Sequence, residues 1–122
     1  MANANKRKGD RAERELAALL TEALGVPVRR FLGAGRQDDR GDLDGVSNHT
    51  LQVKNWRDIT AAIRVGMEQL KQQQANAGTD NSTLFIKHPR HGWLAVQTLE
   101  QWTKSNGGNN GQCDTGMGAP LR

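Results

Sequence analysis

Cysteine is nearly missing from this chain of 122 residues: Cys113 stands alone. That excludes an intrachain disulfide and points to a reducing compartment. No apolar run approaches the ~20 residues of a membrane-spanning helix. The opening Met-Ala-Asn-Ala-Asn-Lys-Arg-Lys-Gly lacks the apolar centre of a secretory signal, so the expectation is a soluble, cytoplasmic protein with no membrane partner. A zinc set is lacking too. His88 and His91 are three apart, but they sit on a strand end and a turn with no further His or Cys at ligand spacing. The run Gly33-Ala34-Gly35 fails as a dinucleotide fingerprint, because Asp38 stands where the third glycine belongs. An EF-hand register counted back from Gly45 also fails, since it puts Arg40 at the first ligand position and Leu51 at the last. No internal repeat is visible.

What is present is a single-domain length, enough for a core but small for an enzyme unless it dimerises. The formal net charge of +4 suits a polyanionic partner. Composition divides the chain into a basic arm at 1–9, a folded domain at 10–104 and a Gly/Asn-rich tail at 105–122 that should be disordered. Lys6, Arg7 and Lys8 make the arm either a flexible phosphate binder or a solvated terminus.

The first helix is expected over Asp10 to Leu24, stopped by Gly25 with Pro27 beyond. Asp10 and Glu13 have capping-box spacing. At ~100° per residue, Ala12, Leu16, Ala17, Leu19, Leu20, Ala23 and Leu24 share one arc and Glu13 falls inside it. A carboxylate aimed inward needs a partner: a metal, a lysine or a capped backbone. Val26 to Leu32 reads as a strand with Arg29 and Arg30 on opposite faces, one of them able to reach a phosphate. The loop from Gly33 to Gly41 is polar, and its Asp38 and Asp39 read as loop solvation, with the steering of a metal or the positioning of a DNA strand as the alternative. A second helix follows from Ile59 to Ala77, ended by Gly78, with Ile59, Ile63, Met67 and Leu70 as its buried stripe and Ala62, Gly66 and Ala77 allowing close approach. Its other face, with Arg64, Gln69, Lys71, Gln72, Gln73 and Gln74, reads either as a solvated surface or as a track for a sugar-phosphate backbone. Ser82 to His88 and Trp93 to Gln97 form a hairpin, and Thr98 caps a short helix with Gln101 at the third position of a capping box.

The chemistry concentrates in Asp42 to Lys54. A Gly/Asp turn leads into a strand at Leu43 to Val46, a polar turn at Ser47 to Thr50, and a second strand from Leu51. Side chains two apart share a face, so Gln52 and Lys54 point one way and Leu51 and Val53 the other. A carboxylate at the start of the first strand can then converge with the Gln52 amide oxygen beside a lysine, which suits Mg²⁺ and a phosphate. Trp56, just beyond, reads equally as a base-stacking platform or a half-buried core residue.

Asp42, then Gln52-Val53-Lys54, resembles the signature of the PD-(D/E)XK nuclease superfamily, an Asp followed at a distance by acid-x-Lys. Gln52 departs from it by replacing the acid with an amide. Lys8-Gly9-Asp10-Arg11-Ala12-Glu13-Arg14-Glu15-Leu16 is similar to the opening of the archaeal-type Holliday junction resolvases. The resemblance spans about residues 8 to 100 in order of elements. It places the family's aspartate at Asp42 rather than Asp44 and makes Glu13 an active-site residue. It implies an α/β restriction-endonuclease-like core, a mixed central β-sheet flanked by helices in the order α-β-β-β-α-β-β. It also implies a Mg²⁺-dependent endonuclease, with Mn²⁺ able to substitute, acting as a homodimer on four-way junction DNA. In that reading Asp42, Gln52 and Glu13 serve the metal and Lys54 the attacking water or the developing charge, while Lys6, Arg7, Lys8, Arg29, Arg30, Arg36 and Arg40 bind DNA. Two alternatives stand: a non-catalytic DNA-binding module on the same fold, motivated by Gln52, and a restriction-like nuclease of a phage or mobile element acting on other DNA.

Overall fold

The computed structural model describes residues 2–31 and 39–107, the side chains of residues 2–5 excepted. Arg36, the glycines at 33 and 35, Asp38, Cys113 and the tail from 108 onward lie outside the described residues. The element order is α1 (Ala2–Leu24), β1 (Arg29–Arg30), β2 (Leu43–Asp44), β3 (His49–Lys54), α2 (Ile59–Ala77), β4 (Asn81–His88), β5 (Gly92–Val96) and α3 (Leu99–Ser105). The strands form one sheet in the order β1-β2-β3-β4-β5. Only β3 and β4 run parallel, because α2 carries the chain back across the sheet between them; a parallel pair needs such a crossover. The chain is therefore an α/β fold with a five-stranded mixed sheet and, among the described residues, three helices. None of these helices is long and apolar enough to cross a membrane.

Each face of the sheet has its own core. Ala12, Leu16 and Ala17 of α1 pack with Val28, Leu43, Leu51 and Val53. On the other face Ala62 and Leu70 of α2 pack with Leu84 and Ile86. Gly66 lets α2 come close: a Cβ there would lie 2.8 Å from Leu84 Cδ1. The bounds of α2 are those expected, with the Asp58 carboxylate accepting from Ala61 N–H and Gly78 closing the helix at φ 71°.

Other expectations need correction. Helix α1 starts at Ala2, not Asp10, because Ala2, Ala4, Lys6, Arg7 and Lys8 favour helix and outweigh Asn3, Asn5 and Gly9; the basic residues Lys6, Arg7 and Lys8 are on helical turns, not on a separate arm. Asp10 caps nothing. It accepts from Lys6 Nζ at 3.3 Å and from Arg30 Nη2 at 2.8 Å. The apolar arc of α1 is wider than the sheet it covers, so Leu19, Ala23 and Leu24 are exposed. The strand expected at Val26 to Leu32 shrinks to Arg29–Arg30, since Val28 spends its N–H and C=O on the Thr21 hydroxyl and Pro27 has no N–H. Strand β2 ends at Asp44 because Gly45 turns at φ 127°, where any Cβ would collide with the Pro27 carbonyl. The turn then closes at Asn48 (φ 56°) and β3 begins at His49. On α2, Ile63 is exposed and Gln73 takes the buried place. Thr98 caps α3 through Gln101 N–H, but the Gln101 side chain turns to Ser82 N–H, Asn81 and Ser105 instead of completing the box.

Candidate metal and nucleic-acid site

Where β2 begins, two features fix the backbone of Asp42. Gly41 adopts φ 109°, and a Cβ there would lie 2.8 Å from the Leu51 carbonyl, so only glycine fits. Asp42 N–H donates to Leu51 O at 2.8 Å and Asp42 O accepts from Phe31 N–H at 3.0 Å, which ties this residue to the neighbouring strands on both sides. Its Oδ2 accepts from Val53 N–H at 2.9 Å. The side chain is thus aimed at the end of β3, beside Gln52 and Lys54.

These residues line a cleft of about 660 Å³ with Lys8, Glu13, Asp39, Asn55, Trp56, Arg57, Gln69 and Gln73. Of the residues expected to act together, Glu13, Asp42, Gln52 and Lys54 meet in this one cleft. Asp44 does not; it is exposed and belongs to a separate depression with Phe31 and Arg40.

Burial dominates the electrostatics. It pushes the Asp42 carboxyl up to about 7, against the Val53 N–H that favours the anion; Glu13 adds to the rise, Lys54 opposes it, and Asp39 adds again. Lys54 is shifted down by burial, although Asp42, Asp39 and Glu13 all favour its charge. Its Nζ lies 4.7 Å from the centre of the Trp56 ring, a cation-π distance. Trp56 is 38 % exposed and lines the cleft, so it is neither a core residue nor a free platform.

The inward Glu13 has a partner that the wheel could not name. Arg30 Nε donates to Glu13 Oε1 at 2.8 Å while the same guanidinium holds Asp10. Arg30 is therefore a bracket between β1 and α1, not an open phosphate ligand, whereas Arg29 on the opposite face is exposed. Arg40 lies outside the cleft lining, Lys6 is paired to Asp10, and Lys8 is at the cleft itself.

Gln52 is the decisive side chain, at 3 % exposure. One polar atom of its amide is 3.2 Å from Asp42 Oδ2 and 2.7 Å from Gln73 Oε1, and the other is 3.3 Å from Lys54 Nζ and 3.0 Å from Gln69 Oε1. An amide can be turned either way. With the NH₂ toward Asp42 and Gln73, its oxygen accepts from Lys54, and the Gln69 amide has to turn with it to donate in place of accepting. With the oxygen toward Asp42, Nε2 donates to Gln69 Oε1 but faces Lys54 Nζ at 3.3 Å, and the oxygens of Gln52 and Asp42 face each other at 3.2 Å. Such a pair repels unless a cation lies between, and adjacent oxygen ligands of Mg²⁺, with bonds of about 2.1 Å at right angles, are about 3 Å apart. The donors are hard oxygens and include the buried Asp42 carboxyl, so a divalent cation fits. No group of three His, Cys, Asp or Glu able to hold a metal comes together among the described residues.

Two cleft residues were given mainly to solvent by the sequence. Asp39, assigned to loop solvation, lines the cleft and accepts from Gly41 N–H at 3.0 Å and Gln73 Nε2 at 2.8 Å. Gln73, assigned to the polar face of α2, is 3 % exposed. A signal existed for Gln73: it continues the stripe Ala62, Gly66, Leu70 at helical spacing, and a glutamine on a buried stripe implies a polar partner. Asp39 carried none beyond its place three residues before Asp42. Comparison with family models, with curated proteins and with solved structures finds no match to this chain.

Proposed function

We propose that this chain is a divalent-metal-dependent DNA endonuclease with a restriction-endonuclease-like core, of the PD-(D/E)XK kind, and that its substrate is a four-way DNA junction cut by a homodimer in the cytoplasm. The observation that carries the reading is the seating of the Asp42 carboxylate on Val53 N–H, within one cleft shared by Gln52, Lys54 and Glu13. The sheet order and the parallel β3-β4 pair around α2 are compatible with that core. The junction and the dimer rest on the resemblance of Lys8 to Leu16 and on the small size of the chain.

In this reading Asp42 and the Gln52 oxygen would hold Mg²⁺ or Mn²⁺, and Glu13, already engaged by Arg30, would contribute its charge to the site. The cation supplies Lewis-acid polarisation of the phosphodiester. Lys54, half-buried and easier to deprotonate than an exposed lysine, orients the attacking water or stabilises charge on the phosphoryl oxygens. Water gives up a proton as its oxygen bonds to phosphorus, the bond to one sugar oxygen breaks, and that oxygen takes up a proton. Lys8 and Arg57 at the cleft hold the flanking phosphates, and the Trp56 ring holds the Lys54 ammonium in place.

A second reading is favoured by one specific observation: with its NH₂ toward Asp42, Gln52 satisfies the site without any cation, as a non-catalytic DNA-binding module would require. The deciding experiment is cleavage of a four-way junction and of linear duplex by wild type and Asp42→Asn, each in Mg²⁺, Mn²⁺ and EDTA. The proposal expects junction nicking that EDTA abolishes and that Asp42→Asn reduces by about 10²–10³-fold, with unchanged circular dichroism. Junction binding without cleavage in any metal establishes the binding module. Equal cleavage of linear duplex establishes a restriction-like nuclease acting on other DNA.

A further inference from the structure

Position 52 holds an amide where a cation site would gain from a second charge, and the cleft contains a carboxylate to which no role has yet been given. The backbone of Asp39 is held by Asn76 Nδ2, which donates to its carbonyl at 2.8 Å. Its carboxylate accepts from Gly41 N–H and from Gln73 Nε2. Neutral donors fix a carboxylate without cancelling its charge. Glu13 differs in this respect, because the Arg30 guanidinium is on it at 2.8 Å.

Gln73 links the two positions. It lies on the buried stripe of α2, where an apolar residue would cost nothing and a glutamine is tolerated only if both ends of its amide are used. One end donates to Asp39 Oδ2 and the amide also lies 2.6–2.7 Å from that of Gln52. A single buried side chain therefore touches both the neutral amide on β3 and the carboxylate from the loop. The charge of Asp39 is felt at Asp42 and at Lys54 alike, which places the three in one electrostatic unit.

We propose that Asp39, clamped by Gln73, supplies to the cation site the second carboxylate charge that Gln52 lacks. The inference rests on the metal-dependent reading of the cleft. It predicts a relocation that can be undone: a charge removed at 39 is replaceable at 52.

The test is Mn²⁺ binding to the full chain, read by electron paramagnetic resonance, with thermal melting of every variant alongside. Asp39→Asn keeps the shape and an acceptor, and weakens Mn²⁺ binding by about 10–100-fold. Gln52→Glu in that background restores the affinity to within about threefold of wild type, whereas Gln52→Glu alone gains much less, because interacting positions are not additive. Asp39→Ser, which also keeps an acceptor for Gly41 N–H, repeats the loss should the asparagine variant melt early. Wild-type affinity in both neutral variants, or no rescue by Gln52→Glu, overturns the role of Asp39. Mn²⁺ binding that is lost in Asp42→Asn yet intact in Asp39→Asn overturns this inference alone. A wild type that binds no Mn²⁺, or binds it equally well in Asp42→Asn, overturns the metal-dependent reading beneath it.

Discussion

On β3, Leu51 and Val53 face α1, while Thr50, Gln52 and Lys54 face α2. Thr50 to Val53 are all buried, so burial alone does not separate the two faces. Their use of it does. Against α1 the strand contributes methyl groups to a dry cluster with Leu16 and Leu43. Against α2 it contributes a hydroxyl paired with Thr79, an amide among Gln69 and Gln73, and a lysine under Trp56. The α2 core proper, Leu70 with Leu84 and Ile86, belongs to β4. The lesson is that one face of β3 stabilises the molecule and the other is held in place by it. Groups that cost free energy to bury, such as the Asp42 carboxylate and the Lys54 ammonium, are kept where neighbouring apolar packing makes the cost tolerable.

Truncation on the two faces should break this contrast most visibly. Leu51→Ala leaves a cavity in the α1 cluster and is expected to cost about 3 kcal/mol, a fall in Tm of well over 10 °C for a domain of this size. Lys54→Met keeps the stem against Trp56 and removes a partly buried charge, so Tm should hold or rise while nicking falls by about 10²–10³-fold. Thermal melts and cleavage rates on both variants check it. A loss of stability in Lys54→Met as large as in Leu51→Ala would erase the distinction between the faces.

Next in size is a pH effect from Asp42. Its carboxyl is pushed up to about 7 in the fold, from 3.8 unperturbed. An acid whose folded pKa lies above its unfolded value favours folding while protonated, so its contribution is fully present below about pH 4 and lost as pH rises through about 7. Without divalent metal, the ionised group should lower stability at pH 8. His49, shifted down by burial, works in the opposite direction on the acid side, so the informative quantity is the difference between wild type and Asp42→Asn. That difference should favour the variant at pH 8 and vanish toward pH 4. Mg²⁺ or Mn²⁺ should raise the wild-type Tm at pH 8 and much less at pH 5, because only the ionised carboxylate is a ligand.

How far all this was legible follows the same division. Local rules sufficed for α2, where Asp58 and Gly78 mark both ends and small residues mark the contact. They sufficed for the alternation on β3 and for the inward aim of Glu13. They did not suffice where a distant residue decides. Asp10 has cap spacing, yet Arg30 from another element claims its carboxylate, and nothing within a helical window reveals that. Gly45 ends β2 because Pro27 lies across it, and Asp39, exposed as the loop composition suggests, carries no local sign that Gln73, far along the chain, donates to it. Ile63 is an apolar residue on the wrong side of a stripe that glycine and alanine define. The features missed are those made by tertiary partners rather than by periodicity.

Gly66 allows the α2 contact to be sharpened. Alanine is the better helix former by about 1 kcal/mol, so on an open helix face Gly66→Ala would stabilise. Here its methyl would approach Leu84 Cδ1 and Cδ2 at 2.8 and 2.9 Å, and overpacking costs about 1–3 kcal/mol. The expected net loss is about 1 kcal/mol by denaturant unfolding. Because Gln69 and Gln73 ride on the same helix, an outward shift of α2 should also loosen the amide contacts to Gln52 and raise the Mn²⁺ needed for half-maximal cleavage. A more stable Gly66→Ala protein would mean that Leu84 moves aside freely.

The smallest effect on stability should come from Lys8, which makes it the cleanest probe of the cleft as a DNA surface. It is exposed on α1 and at the cleft, and removal of one exposed surface charge changes folding by no more than about 0.5 kcal/mol. If its ammonium sits on a phosphate in the complex, Lys8→Ala releases one fewer counterion, and the slope of log affinity against log salt should flatten by about 0.9 on duplex arms. Arg29, on the opposite side of β1 from Arg30, serves as the control, since it is not among the cleft residues. Junction binding measured across salt with metal replaced by Ca²⁺ reads both variants without cleavage. A flattened slope for Arg29→Ala and none for Lys8→Ala would put the DNA on the other face of the sheet, and the catalytic assignment of Asp42 and Lys54 would go with it.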